Sequence, residues 1–143
     1  MKDRTNDIED YFCKQFIRRA YQERLYFELS SNNKRVKAIS RFCNNLMDII
    51  NTDRVVEHCD STDVTYLTDR LQERSSHKKG YCIGFFNLDQ KWADISDAIS
   101  TGICSGLGFA VVLPDGIAYM CEEAEFKMKR KSVILHSTAS FEE

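Results

Sequence analysis

Cysteine and histidine are the residues in this chain whose chemistry would matter most, and their spacing decides what they could do. Gly102-Ile103-Cys104-Ser105-Gly106 fits a G-x-nucleophile-x-G pattern with a thiol in the reactive position. That pattern works where a strand enters a strained turn and a helix leaves it, exposing the nucleophile at the helix N-terminus. Here the order is reversed, because a helical pattern ends near Gly102 and a strand pattern begins near Gly108. The expectation is a helix-to-strand connection whose glycines permit close approach of another backbone.

His58, Cys59 and Asp60 are consecutive. In an extended segment, neighbouring side chains point to opposite faces, so they do not form a dyad. Cys43, His58, Cys59, His77 and Cys82 have zinc-ligand chemistry but lack the short paired spacing that brings two ligands together locally. His77 precedes Lys78 and Lys79 in a polar stretch, and His136 ends a strand with no neighbour to orient it. No catalytic residue, metal ligand or cofactor-binding residue is assigned. Cys104, His58, His77 and His136 are the groups to test if the chain is an enzyme.

Charged pairs are read the same way. Asp69/Glu73 and Asp94/Asp97 fall on the polar sides of helical patterns, and a solvated carboxylate lacks the burial that raises its pKa for acid catalysis. Gly106-x-Gly108 is not followed by a helix, so it offers a phosphate no cradle of amides. The densest basic run, Lys127, Lys129, Arg130 and Lys131 with Phe126 and Met128 interleaved, could neutralise phosphates. Glu122, Glu123 and Glu125 precede it and oppose its field.

A chain of 143 residues with 43% hydrophobic and 29% charged residues has the composition of one ordinary globular domain. Its net charge of −2 does not suit a dedicated nucleic-acid or membrane-surface protein. The charge is segregated. Residues 1–41 hold ten Lys/Arg against six Asp/Glu, whereas residues 48–74 hold three against seven. The start MKDRTNDIED has no apolar signal-peptide core, and no apolar run has the length of a membrane span. The six cysteines contain no CxxC and mostly adjoin apolar residues, as reduced core thiols do. The expected compartment is the cytoplasm.

The elements that must position these residues follow from hydrophobic periodicity. Asn6 with Glu9 has capping-box spacing, and apolar pairs four apart from Phe12/Phe16 to Leu25/Leu29 predict one helix over 6–29. Val36, Ile39, Cys43, Leu46 and Ile50 predict a second helix over 33–50, forming an antiparallel hairpin with the first. Residues 53–59 are a short strand or a connection. A third helix is capped at Asp60 or Ser61 and buries Val64, Leu67 and Leu71. Residues 81–86 read as a strand. A fourth helix starts at Asn87 or Asp89, turns Trp92, Ile95 and Ile99 inward, and is capped by Gly102. Residues 108–113 and 117–121 flank Pro114-Asp115-Gly116 as a hairpin, and 132–136 form a further strand. The expected fold is one α+β domain: a helical hairpin over 6–50, a mixed part over 53–136 with two more helices on a mostly antiparallel sheet of about four strands, and a frayed tail over 137–143.

Segregated charge on such a domain points to a protein-interaction module steered electrostatically to its partner, of the kind represented by toxin-neutralising immunity proteins and inhibitors. The residues singled out for partner binding are Asp60, Asp63, Asp69 and Glu73, and the basic Lys127, Lys129, Arg130 and Lys131. The alternatives are an enzyme with a Cys/His site assembled from distant segments and, behind it, a nucleic-acid-binding regulator. A membrane is not an expected partner, and self-association is left open.

Overall fold

The computed structural model describes residues 5–84, 86–124 and 130–141. Its core is an antiparallel six-stranded sheet covered by helices on both faces. Four helices precede the sheet: α1 (Thr5–Phe16), α2 (Arg19–Leu29), α3 (Arg35–Asn44) and the single turn α4 (Leu46–Ile49). Then come β1 (Val55–Cys59), α5 (Val64–Gln72), β2 (Lys79–Ile83), β3 (Trp92–Asp94), α6 (Ile95–Ser105), β4 (Phe109–Val112), β5 (Ile117–Cys121) and β6 (Ser132–His136). The strand order is β1-β6-β5-β4-β2-β3. Six strands rather than four are present because 55–59 pairs with β6 and 92–94 pairs with β2, one at each edge. The α+β class stands.

Side-chain alternation explains the two-sided cover. Ala110, Val112, Ala118, Met120, Val133 and Leu135 join the core beneath α1–α4, with Ile8, Phe12, Phe16, Leu25 and Phe42. Phe109, Val111, Ile117, Tyr119, Cys121 and Ile134 join a second core beneath α5 and α6, with Leu67, Leu71, Ile95 and Ile99. A strand buried on both faces reads as a continuous apolar run, as GFAVVL and IAYMC do. The β4–β5 turn is closed by Gly116 at φ +89, where Ser137 O would lie 2.2 Å from an added Cβ.

Several boundaries depart from the periodic reading. The 6–29 helix is broken at Ile17 and Arg18, because this backbone pairs with the end of the hairpin. Ile17 bridges Ile50, Arg18 N donates to Ile49 O at 2.9 Å, and Asn51 N donates to Phe16 O at 2.8 Å. The second helix is interrupted at Asn45, and Val36 is 78% exposed instead of inward. α1 begins at Thr5, so Asn6 lies within the helix rather than capping it.

Asp63 caps α5 by accepting from Tyr66 N. Trp92 is a half-exposed strand residue, and α6 starts three residues later, where Asp94 accepts from Ser96 N and Asp97 N. Gly102 is inside α6, with a hypothetical Cβ 2.5 Å from the Phe109 ring; the left-handed residue ending the helix is Gly106, at φ +74. Within 137–141, Ser137 is buried and Thr138, Ala139 and Ser140 are exposed, and side-chain contacts tie the segment to α1. Ser137 Oγ donates to Gln15 Oε1 at 2.6 Å, Tyr11 donates to Ala139 O at 2.7 Å, and Phe141 contacts the Tyr11 ring. Residues 142–143 lie outside the described residues. Among the described residues no helix is long and apolar enough to cross a membrane.

Candidate functional site

α5 presents the acidic segment to solvent. Leu67 and Leu71 are fully buried and fix the inward side of the helix. That orientation leaves Asp63, Tyr66, Asp69 and Glu73 exposed, at spacings of three and four that align them along the outer face. Tyr66 is 46% exposed. Between Glu57 and Arg74 there are five carboxylates and two arginines.

Both arginines are engaged. Arg70 Nε and Nη2 donate to the two Glu57 oxygens at 2.7 Å each, Arg70 Nη1 donates to Glu73 at 2.8 Å, and Arg74 donates to Glu57 at 3.1 Å. The Arg70 hydrogen bonds outweigh burial and hold the Glu57 carboxyl below its ordinary value. Asp60 and Asp69 enter no ion pair among the described residues. The surface is therefore an exposed tyrosine beside the unpaired Asp69, with Glu73 held by Arg70 and net negative charge over 57–74.

The basic run is divided. Lys127 and Lys129, with Glu125, Phe126 and Met128, lie outside the described residues. Arg130 is buried, at 7% exposure, and its guanidinium faces inward. Nε donates to Glu122 O at 2.8 Å, Nη1 donates to Ile103 O at 3.0 Å, and Nη2 donates to Leu107 O. The last carbonyls of a helix have no intrahelical donor, and Arg130 supplies one for α6 while packing over the Phe109 ring. It therefore fastens the link between Gly102 and Gly108. Lys131 is exposed, and its backbone N donates to Glu122 Oε1 at 3.0 Å.

The candidate reactive groups are mostly apart. Cys104 is exposed in the last turn of α6, not at a strand-to-helix elbow. His77 is an exposed loop residue and His136 is exposed at the end of β6. His58 is exposed on the edge strand β1, and there the structure does bring candidates together. An open depression of about 450 Å³ is lined by His58, Asp60 and Lys131, with Cys59, Glu122 and Met47 beside them. Burial raises the Cys59 thiol pKa. No group of three or more His, Cys, Asp or Glu able to hold a metal occurs among the described residues.

The strongest polar constellation is one that sequence reasoning passed over. Arg35 is buried and grips two carboxylates at once. Nη1 and Nη2 donate to Glu9 at 2.8 and 2.7 Å, while Nε and Nη2 donate to Asp89 at 2.8 Å each. Nη1 also donates to Leu29 O at 2.9 Å, Tyr81 Oη donates to Glu9 Oε2 at 2.6 Å, and Gly84 N donates to Asp89 Oδ1 at 2.9 Å. Burial opposes the Arg35 charge, but the Asp89 and Glu9 hydrogen bonds prevail and raise its pKa. Burial, reinforced by Glu9, likewise raises the Tyr81 hydroxyl pKa. A signal was present: Glu9 shares the helix face of Phe12 and Phe16, and Arg35 that of Ile39 and Phe42. A charge on an apolar face needs a buried partner.

No family model matches the chain, and it shows no significant similarity to a curated protein or to a solved structure.

Proposed function

We propose that this protein is a small interaction module, of inhibitor or immunity type, that recognises a basic protein partner through the outer face of α5 and acts in the reducing cytoplasm. The observation that carries this reading is Tyr66, half exposed between Asp63, Asp69 and Glu73 on a helix whose other side is locked into the core. Exposed aromatic residues serve as interface anchors, and desolvating one contributes far more than a rim contact. The surrounding carboxylates would steer a basic partner and accelerate encounter.

A second reading rests on the depression lined by His58, Asp60 and Lys131. It holds an imidazole, a carboxylate and an amine within one concavity, the minimum for an acid/base site. Against it, burial raises the pKa of the Cys59 thiol, and Cys104 lies elsewhere.

Quantitative affinity capture from the native source separates the two readings. Wild type should recover a basic protein that Tyr66→Ala combined with Asp69→Lys fails to recover, while His58→Gln recovers it unchanged. Equal recovery by wild type and the α5 variant would remove the interaction reading.

A further inference from the structure

The two charged segments of the chain face away from each other. α2 and α3 cover one side of the sheet and α5 the other. Among the described residues, no Lys or Arg of 18–41 pairs with a carboxylate of 57–74. Charges that the fold keeps apart within one chain can meet only between chains.

The two surfaces also match in shape and sign. Between α2, α3 and α4 a pocket of about 260 Å³ has Leu25, Ala38 and Phe42 buried at its floor, with Tyr21, Arg24 and Arg41 exposed around its mouth. It is smaller than the roughly 300–1,000 Å³ of a small-ligand site and has room for one side chain. Its own charge is balanced, because Glu28 receives both Arg24 and Arg41 and Asp48 also lines it. The positive excess surrounds it. Arg18, Arg19, Lys34 and Lys37 are exposed, and Glu23 is the remaining carboxylate of 18–49. Arg18 donates to the main-chain carbonyls of Met47 and Ile50, which leave its charge uncompensated. α5 carries the converse. Glu57 and Glu73 are matched by Arg70 and Arg74, so the excess falls on Asp60, Asp63 and Asp69, the last two flanking Tyr66 three residues away on each side. Lys78, the next cation in sequence, stands on Gln72 at the C-terminal end of the helix.

We propose that this protein self-associates head to tail: Tyr66 of one copy enters the pocket between α2, α3 and α4 of the next, and Asp63 and Asp69 meet its basic surround. The inference rests on the reading of α5 as a recognition surface, and it names a second copy as one basic partner. The ring enters between Arg24 and Arg41, which supply cation–π contact, and the match of acidic to basic surface sets the orientation. Because the two surfaces differ, the contact is heterologous, and every pair of copies keeps one surface of each kind free. Self-association occupies α5, so a basic protein partner has to displace a copy to bind.

The test is sedimentation velocity of the full-length protein at up to about 1 mM, with one variant for each surface. Wild type should grow in mass with concentration at about 50 mM salt, and its association constant should fall at least about tenfold at about 500 mM. Tyr66→Ala with Asp69→Lys leaves the pocket intact, and Arg24→Glu with Lys37→Glu leaves α5 intact. All four positions are exposed, so the fold tolerates the changes. Each variant alone should stay monomeric. Their equimolar mixture should form one-to-one dimers and stop there, since only the damaged surfaces remain outside. Wild type that stays monomeric, association that salt does not weaken, or variants that fail to pair on mixing would overturn the proposal. Capture from the native source reports on α5 separately. A partner recovered by a wild type that stays monomeric sinks this inference alone, whereas variants that pair on mixing with no partner recovered sink the earlier reading alone.

Discussion

Tyr81, fully buried in the sheet, donates its hydroxyl to Glu9 on the first helix at 2.6 Å, across 72 residues of sequence. Arg35 closes this contact into a buried network that joins α1, α3, β2 and the loop bearing Asp89. The helical layer is thus fixed to the sheet by polar contacts as well as by the apolar core. Removing one partner of a buried ion pair leaves the other charge uncompensated. Arg35→Met should cost about 3–5 kcal/mol in urea unfolding, whereas Tyr81→Phe, which removes one hydrogen bond, should cost about 1–2 kcal/mol.

The α5 edge gives a pH signature. Arg70 holds the Glu57 carboxyl below its unfolded value. A depressed folded pKa stabilises above the unfolded value and is lost as pH falls through the folded one. Glu57→Gln should therefore flatten the loss of stability between neutral pH and acid below about pH 4. At neutral pH the substitution should cost only about 1 kcal/mol or less, because Arg70 and Arg74 are each about one-third exposed. A parallel pH profile for the two proteins would disprove the pairing.

Thiol titration tests the burial pattern. Cys13, Cys43, Cys59, Cys82 and Cys121 are buried and Cys104 is exposed. Burial pushes the Cys82 thiol up to about 12 and Cys121 up to about 11. With an aromatic disulfide reagent at pH 8, one equivalent should react quickly, and the other five should react about 100-fold more slowly until the protein is unfolded. Cys104→Ser should remove the fast phase alone.

Two adjacent cations should behave oppositely. Arg130→Ala strips donors from the carbonyls of Ile103, Leu107 and Glu122, and should cost about 2–4 kcal/mol while exposing the 103–108 amides to hydrogen exchange. Lys131→Ala should stay within about 0.5 kcal/mol of wild type, as surface changes do.

These contrasts also mark how far the sequence could be read. The 117–121 and 132–136 strands and the Pro114-Asp115-Gly116 turn were legible because local composition alone determines them. The break at Ile17 was not, since Ile50 and Ile49 supply its backbone partners from a distant part of the hairpin. Trp92 was drawn into a helix by its spacing to Ile95 and Ile99, although β2 was waiting to pair with it. At the candidate sites, the exposed acidic face of α5 followed from Leu67 and Leu71. The basic run did not keep its apparent unity, because Arg130 turns inward to a helix end that only the tertiary fold places beside it. The Glu9–Arg35–Asp89 network was visible only as charges out of place on apolar faces.

The most direct measurement is the association rate of the captured partner with wild type and with the Asp69→Lys, Glu73→Lys variant, at about 50 and 500 mM salt, where screening differs severalfold in length. The account predicts that the wild-type rate falls at least tenfold with added salt. The reversed variant should start slow and barely change, with the fold unaltered by circular dichroism. Equal rates and equal salt dependence for the two proteins would contradict recognition through α5.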